Sequence, residues 1–245
     1  MQQSGNPSLS KPALDRIAAI EDTKTATISG TSLKILFLLT LTVGAGYFGW
    51  QAMASASGSS LISVLGFSML AFIAALVSVF KPAWAVITGP IYALAQGFVL
   101  GAISQIYNAQ FSGIVVQAIG LTGAIFFVSL WAFWLGLIKV TNKFRTGVFI
   151  ATIGVALYYF IAFILSFFFK ITAPLIFDTG TLGIIFSVVV VFIATLNLIL
   201  DFDFIKQAEA RKMPKIFEWY GAFALMVTLI WLYIEVLRLL GKTRQ

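Results

Sequence analysis

An all-α integral membrane protein, a bundle of seven membrane-crossing helices, is the fold class this sequence predicts, on three observations. Of its 245 residues, 60% are hydrophobic and only 10% charged, with a mean hydropathy of +1.00; a soluble domain averages roughly 45–50% apolar and about 25% charged residues. Apolar stretches of spanning length recur and are separated by short polar breaks, the pattern a bilayer selects. Charge is nearly excluded from those stretches: the first six contain no Lys, Arg or Glu, and their only acidic residue is Asp201.

Residues 1–32 form a polar tail rich in Ser, Thr and Ala, with Lys11, Asp15, Arg16, Glu21, Asp22 and Lys24 interspersed. A secretory signal would carry its apolar run much earlier, so a retained tail, partly helical at most, is expected. The membrane domain takes residues 33–241, with spans at about 35–56, 60–80, 83–107, 113–138, 146–169, 179–202 and 216–240, and residues 242–245 are left as a C-terminal tail. The breaks at Ser57-Gly58-Ser59-Ser60, Lys81-Pro82 and Asn108-Ala109-Gln110 are short, so neighbouring helices must run antiparallel. Gly97 and Gly101 in the third span, and Gly120 and Gly123 in the fourth, have the spacing that lets helix backbones approach closely in lipid.

Seven full crossings put twelve Lys and Arg residues on the side of the tail and four on the other: Lys170, Arg238, Lys242 and Arg244. The bias places the N-terminus of this multi-pass protein in the cytoplasm. Three of the four exceptions lie at the extreme C-terminus. A last segment that re-enters would return them to the basic side, but 216–240 is long enough to span and is read as a full crossing. The net charge of +7 lies in loops and tails rather than on one soluble face, so topology accounts for it and nucleic acid is not an expected partner.

Neither Cys nor His occurs. Thiol and serine–histidine catalysis and histidine-ligated metals are therefore unavailable, as is the side chain that titrates nearest neutrality. No nucleotide loop is visible, no lysine lies in the last span before Lys242, and the only deep aspartates share the sixth span, whereas an intramembrane aspartyl protease requires two facing aspartates in different helices. The chain is read as a non-enzyme without a cofactor.

Charges at membrane depth cost about 2.5–3.5 kcal/mol each on insertion scales and are functional candidates by default. Here they reduce to Asp201 and Asp203 at the end of the sixth span, then Glu218, Glu235 and Arg238 in the seventh. Two residues apart on a helix, Asp201 and Asp203 point to nearly opposite sides, so one faces the bundle interior at most. Asn197 shares the face of Asp201. Asp203, beside the basic run 206–215, can equally end the helix at the headgroups. Glu235 and Arg238, three apart, can form an ion pair on one face, and Glu218 beside Trp219 and Tyr220 reads as an interfacial helix start. Gln96 is a polar group in an otherwise apolar third span and must find a partner across helices or face a pore; Gln105 and Gln117 raise the same question more weakly.

Two long motifs carry a family resemblance: Leu200-Asp201-Phe202-Asp203-Phe204-Ile205-Lys206-Gln207, and Ile230-Trp231-Leu232-Tyr233-Ile234-Glu235-Val236-Leu237-Arg238-Leu239-Leu240-Gly241. With Tyr92-Ala93-Leu94-Ala95-Gln96-Gly97-Phe98-Val99-Leu100-Gly101 and Val140-Thr141-Asn142-Lys143-Phe144, they make residues 34–241 resemble the Bax inhibitor-1 family in its bacterial YccA-like branch. The resemblance implies a seven-helix bundle with the last helix central, and a leak of calcium ions modulated by pH. It also implies a pair of facing carboxylates, one ending the sixth helix and one in the seventh. Two nearby carboxylates in low dielectric cannot both ionise cheaply, and oxygen ligands suit a hard cation.

Carried over, the first carboxylate falls on Asp203, which follows an aromatic residue, and the second falls on Thr228. Glu235 lies two turns beyond Thr228 on nearly the same face, about 10 Å along the axis. The resemblance also places Gln96 where an acidic residue is common. Asp201 and Asp203 are the expected weak, transient calcium ligands, and the expected pathway runs between the sixth, seventh and third helices. The alternative is a non-conducting protein that binds a membrane-protein partner, through its lipid-facing helices or its tail, in quality control or stress response.

Overall fold

A computed structural model describes residues 25–55, 59–170, 175–176 and 178–245. Among them are seven helices long and apolar enough to cross a membrane. They are α1 (Ile28–Ala54), α2 (Ser59–Phe80), α3 (Ala85–Gln110), α4 (Ile114–Trp134), α5 (Asn142–Phe169), α6 (Thr181–Ala210) and α7 (Phe217–Thr243). A single 3₁₀ turn, Pro82–Trp84, links α2 to α3. Of the expected polar tail, residues 1–24 lie outside the described residues.

Two boundaries differ most from the sequence reading. The first helix starts at Ile28, before the expected residue 35, because Thr27 caps it: its side chain accepts a hydrogen bond from Gly30 N at 3.0 Å. The sixth runs to Ala210, well past residue 202, so Asp203 does not end that helix. Elsewhere a glycine does the local work. Gly113 opens α4 at φ 77°, a left-handed conformation, with its N–H bonded to Asn108 Oδ1 at 3.1 Å.

The last helix is the post of the bundle. Phe217, Tyr220, Ala222, Phe223, Ala224, Leu225, Met226, Leu232, Val236 and Leu237 have no exposed surface. The helix packs against α1, α3, α4 and α6. By contrast α2 and α5 turn most of their surface outward, with Ile62, Leu65, Phe160 and Phe163 exposed. In water such faces would aggregate; in a bilayer they meet acyl chains.

At the start of α7, Ala26 N donates to Met213 O at 2.7 Å and Thr25 pairs with Pro214. This tail end holds the beginning of α1 and the α6–α7 turn. At the other end of α7, Lys242 bonds Leu175 O in the α5–α6 connection and Gly183 O in the first turn of α6, and Arg244 bonds Ser112 O in the α3–α4 turn. The helix therefore runs the full length of the bundle, about 40 Å at 1.5 Å per residue, and does not re-enter.

Close packing rests on glycines of α1 and α3. A Cβ on Gly97 would strike the backbone of Thr42, one on Gly101 the carbonyl of Gly46, and one on Gly49 the carbonyl of Phe98. The packing expected of Gly120 and Gly123 is not found: nothing lies within 4 Å of a Cβ at either position. Gly101→Ala is accordingly expected to cost about 1–3 kcal/mol through overpacking, read as a lower melting temperature in detergent micelles. Gly123→Ala is expected to leave that temperature unchanged or raise it slightly.

Candidate functional site: a polar file along the last helices

The antiparallel α6 and α7 are joined by the turn at 211–216, so distance from that turn measures depth. Asp201 lies nine residues before the end of α6 and Thr228 eleven after the start of α7, about 14 and 17 Å deep. The two are thus at similar depth. Asp201 is 0% exposed and Thr228 is buried, its hydroxyl donating to Ala224 O at 3.5 Å.

Asp203 points the other way. Its carboxylate pairs with Arg145 at the start of α5 and accepts a hydrogen bond from Gln207 Nε2 at 2.6 Å. A rotation of about 100° per residue separates the two aspartates, and only Asp201 faces inward. Asp203 thus clamps α5 to α6, and the carboxylate buried in the bundle is Asp201. Among the described residues no group of three or more acidic side chains could hold a metal ion.

Above Asp201 on the same face, Asn197 is buried; its Nδ2 donates to Thr152 Oγ1 of α5 at 2.8 Å and to Ile193 O at 2.9 Å. Its Oδ1 has no hydrogen-bond partner among the described residues. An unmet acceptor in the interior costs about 1–3 kcal/mol, which a water or cation at Asn197 Oδ1 would relieve.

Further along comes the densest cluster. Glu235 is 1% exposed, and its Oε1 accepts from Tyr159 OH at 2.9 Å, Trp231 Nε1 at 3.2 Å and Arg238 Nη1 at 3.0 Å. Arg238 Nη1 also donates to Glu235 Oε2 at 2.8 Å and to Tyr159 OH at 2.7 Å, and the guanidinium sits 5.3 Å from the Tyr159 ring. The expected ion pair is present, and α5 completes it. At the far end Lys242 is buried, with Nζ donating to Leu175 O at 2.5 Å and Gly183 O at 2.9 Å.

In order of depth these groups make a file between α5, α6 and α7: Asp201 and Thr152 near 15 Å, Asn197 near 20 Å, Glu235 with Tyr159 near 27 Å, Arg238 near 32 Å and Lys242 near 38 Å. Acceptors occupy its tail-end half and two cations its far end. Gln96 is not part of it: this residue of α3 is half-buried and makes no hydrogen bond or ion pair with the described residues. Gln105 Oε1 is buried with no hydrogen-bond partner among the described residues, and Gln117 accepts from Arg244 at 2.6 Å. Spacing revealed Glu235 with Arg238 and Asp201 with Asn197. It gave no signal for Tyr159, Thr152 or the seat of Lys242, which join through helices distant in sequence.

Glu218, the expected interfacial start of α7, is buried. Its Oε1 accepts from Thr27 N and Thr27 Oγ1, both at 3.1 Å, and its carboxylate pairs with Lys34 of α1.

Removing one member of a buried pair strands the other charge, at about 3–5 kcal/mol. Glu235→Leu is expected to lower stability by that order, measured by thermal unfolding in detergent. The double variant Glu235→Leu with Arg238→Leu is expected to recover most of the loss.

Comparison with curated proteins and with solved structures returned no match. Residues 6–245 match the family model described as Bax inhibitor 1 like, which covers nearly the whole chain. Seven spanning helices, a buried last helix and a match over almost every residue place this chain in the Bax inhibitor 1-like family.

Proposed function

We propose that this protein is a cation leak channel, with calcium the preferred ion, whose pathway is the polar file between α5, α6 and α7. One observation carries the reading: a fully buried carboxylate, Asp201, heads a line of acceptors between helices that are otherwise apolar. A carboxylate at that depth attracts a hard cation entering from the tail end, because oxygen ligands suit such an ion. The pathway differs from the expected one in using α5 instead of α3, since Thr152 and Tyr159 line it and Gln96 does not.

The arrangement is a closed one. Arg238 and Lys242 occupy the far end, and a divalent cation meets both before it can leave. Closure matters energetically, because moving two charges through 100 mV releases about 4.6 kcal/mol and an open path would dissipate a gradient. Glu235 holds Arg238 in place by an ion pair, so the two side chains close the far end together. The Lys and Arg bias supports a cytoplasmic tail end, and the resemblance to the bacterial branch of the family supports an inner (plasma) membrane location.

A second reading keeps one observation. Residues 25–27 are stitched to Met213, Pro214 and Glu218, so a membrane-protein partner pulling on the tail would act directly on the central helix.

Purified protein in liposomes loaded with a calcium indicator tests the channel. Flux above protein-free liposomes is expected at about pH 6 to 8, reduced about tenfold by Asp201→Asn, equivalent to ~1.4 kcal/mol of lost attraction. It should rise in Lys242→Ala and change little in Asp203→Asn. Absence of flux in the wild type and in Lys242→Ala alike would refute the channel and leave the interaction reading.

A further inference from the structure

Away from the polar file, on the outer side of the bundle at the tail end, α1, α4 and α6 enclose a groove of about 820 Å³ floored by Leu225 of α7. Its walls are apolar, with Ile35, Phe126, Phe202 and Ile205 facing in. The two hydroxyls at its α1 side are committed: Thr31 donates to Thr27 O and Ser32 to Ile28 O, both at 2.9 Å. That leaves Lys206 as the charged group at the mouth. Its side chain is exposed, its ammonium lies 5.6 Å from the Phe133 ring, and it forms no ion pair among the described residues.

The acidic residues nearest it along α6 are engaged elsewhere, Asp203 with Arg145 and Gln207, and Glu209 with Ile28 N at 2.9 Å. Trp131 and Trp134, 63% and 80% exposed, flank the opening on α4. Exposed tryptophans at a helix end mark headgroup level.

Depth fits a lipid. Lys206 lies four residues from the end of α6, about 6 Å, whereas Phe126 and Leu225 each lie eight residues from the tail-end terminus of their helices, about 12 Å. A cation at headgroup height thus stands over an apolar slot. The three walls are continuous helices whose backbone groups are already bonded, so the slot offers an incoming peptide no main-chain partner.

We propose that this groove binds one anionic phospholipid of the leaflet at the tail end, its phosphate on the Lys206 ammonium and one acyl chain running down between Phe126, Phe202 and Leu225. The proposal is independent of ion conduction.

Native mass spectrometry of the full chain, released from micelles holding equal amounts of dioleoyl phosphatidylglycerol and dioleoyl phosphatidylcholine, tests it. The wild type should retain one lipid, with phosphatidylglycerol favoured about fivefold, the bias one interfacial lysine gives. Lys206→Gln should equalise the two lipids, Lys215→Gln should keep the preference, and Ser32→Trp should lose both lipids by filling the mouth. No preference in the wild type, a preference surviving Lys206→Gln or equally lost in Lys215→Gln, lipid retained by Ser32→Trp, or a lipid-free dimer of the chain would each overturn the proposal.

Discussion

In a bilayer the burial of apolar side chains no longer drives helices together, because lipid tails are as apolar as leucine. What holds this bundle is the combination of close backbone contact and the need of a few polar groups on α7 for partners that only other helices can supply. Glu218 takes Thr27 and Lys34 from α1, Glu235 takes Tyr159 from α5, and Lys242 takes Gly183 from α6. Each such bond replaces a group that would otherwise be stranded in hydrocarbon. The central place of the last helix follows from this, and so does its burial on every side.

The same groups that tie α7 into the bundle line the route proposed for ions. Glu235 both neutralises Arg238 and fixes Tyr159, so any cation that competes for its carboxylate acts on packing as well as on charge. Asp201 and Asp203 show the complementary design. Neighbours in sequence, they are divided by helix rotation into an interior carboxylate and a clamp on Arg145. Arg145 therefore spends its charge on tying α5 to α6, and the interior of the file keeps its acceptor character.

The outer face has its own logic. Large apolar residues of α2, α4 and α5 stand exposed where acyl chains would cover them, while the glycines of α1 and α3 are spent on a close crossing. The tail end carries most of the cations, and residues 25–27 are pinned there by backbone and carboxylate bonds. That end combines anchoring, a groove and the entrance to the polar file within about 15 Å of depth.

Composition and hydropathy determined the seven helices and their order, because the bilayer imposes length and charge exclusion residue by residue, whatever the packing. Helical periodicity also determined that Asp201 and Asp203 diverge, that Asn197 shares the face of Asp201, and that Glu235 reaches Arg238. Which aspartate faces inward was decided by Arg145, a residue 58 positions away in sequence from Asp203. Tertiary structure alone likewise set Gly97 and Gly101 against α1 while leaving Gly120 and Gly123 against nothing, gave Glu235 its Tyr159, and buried Lys242 on two carbonyls. The physical reason is common to all of these: a helix fixes which residues share a face, but only the neighbours that pack on that face decide whether it meets protein or lipid.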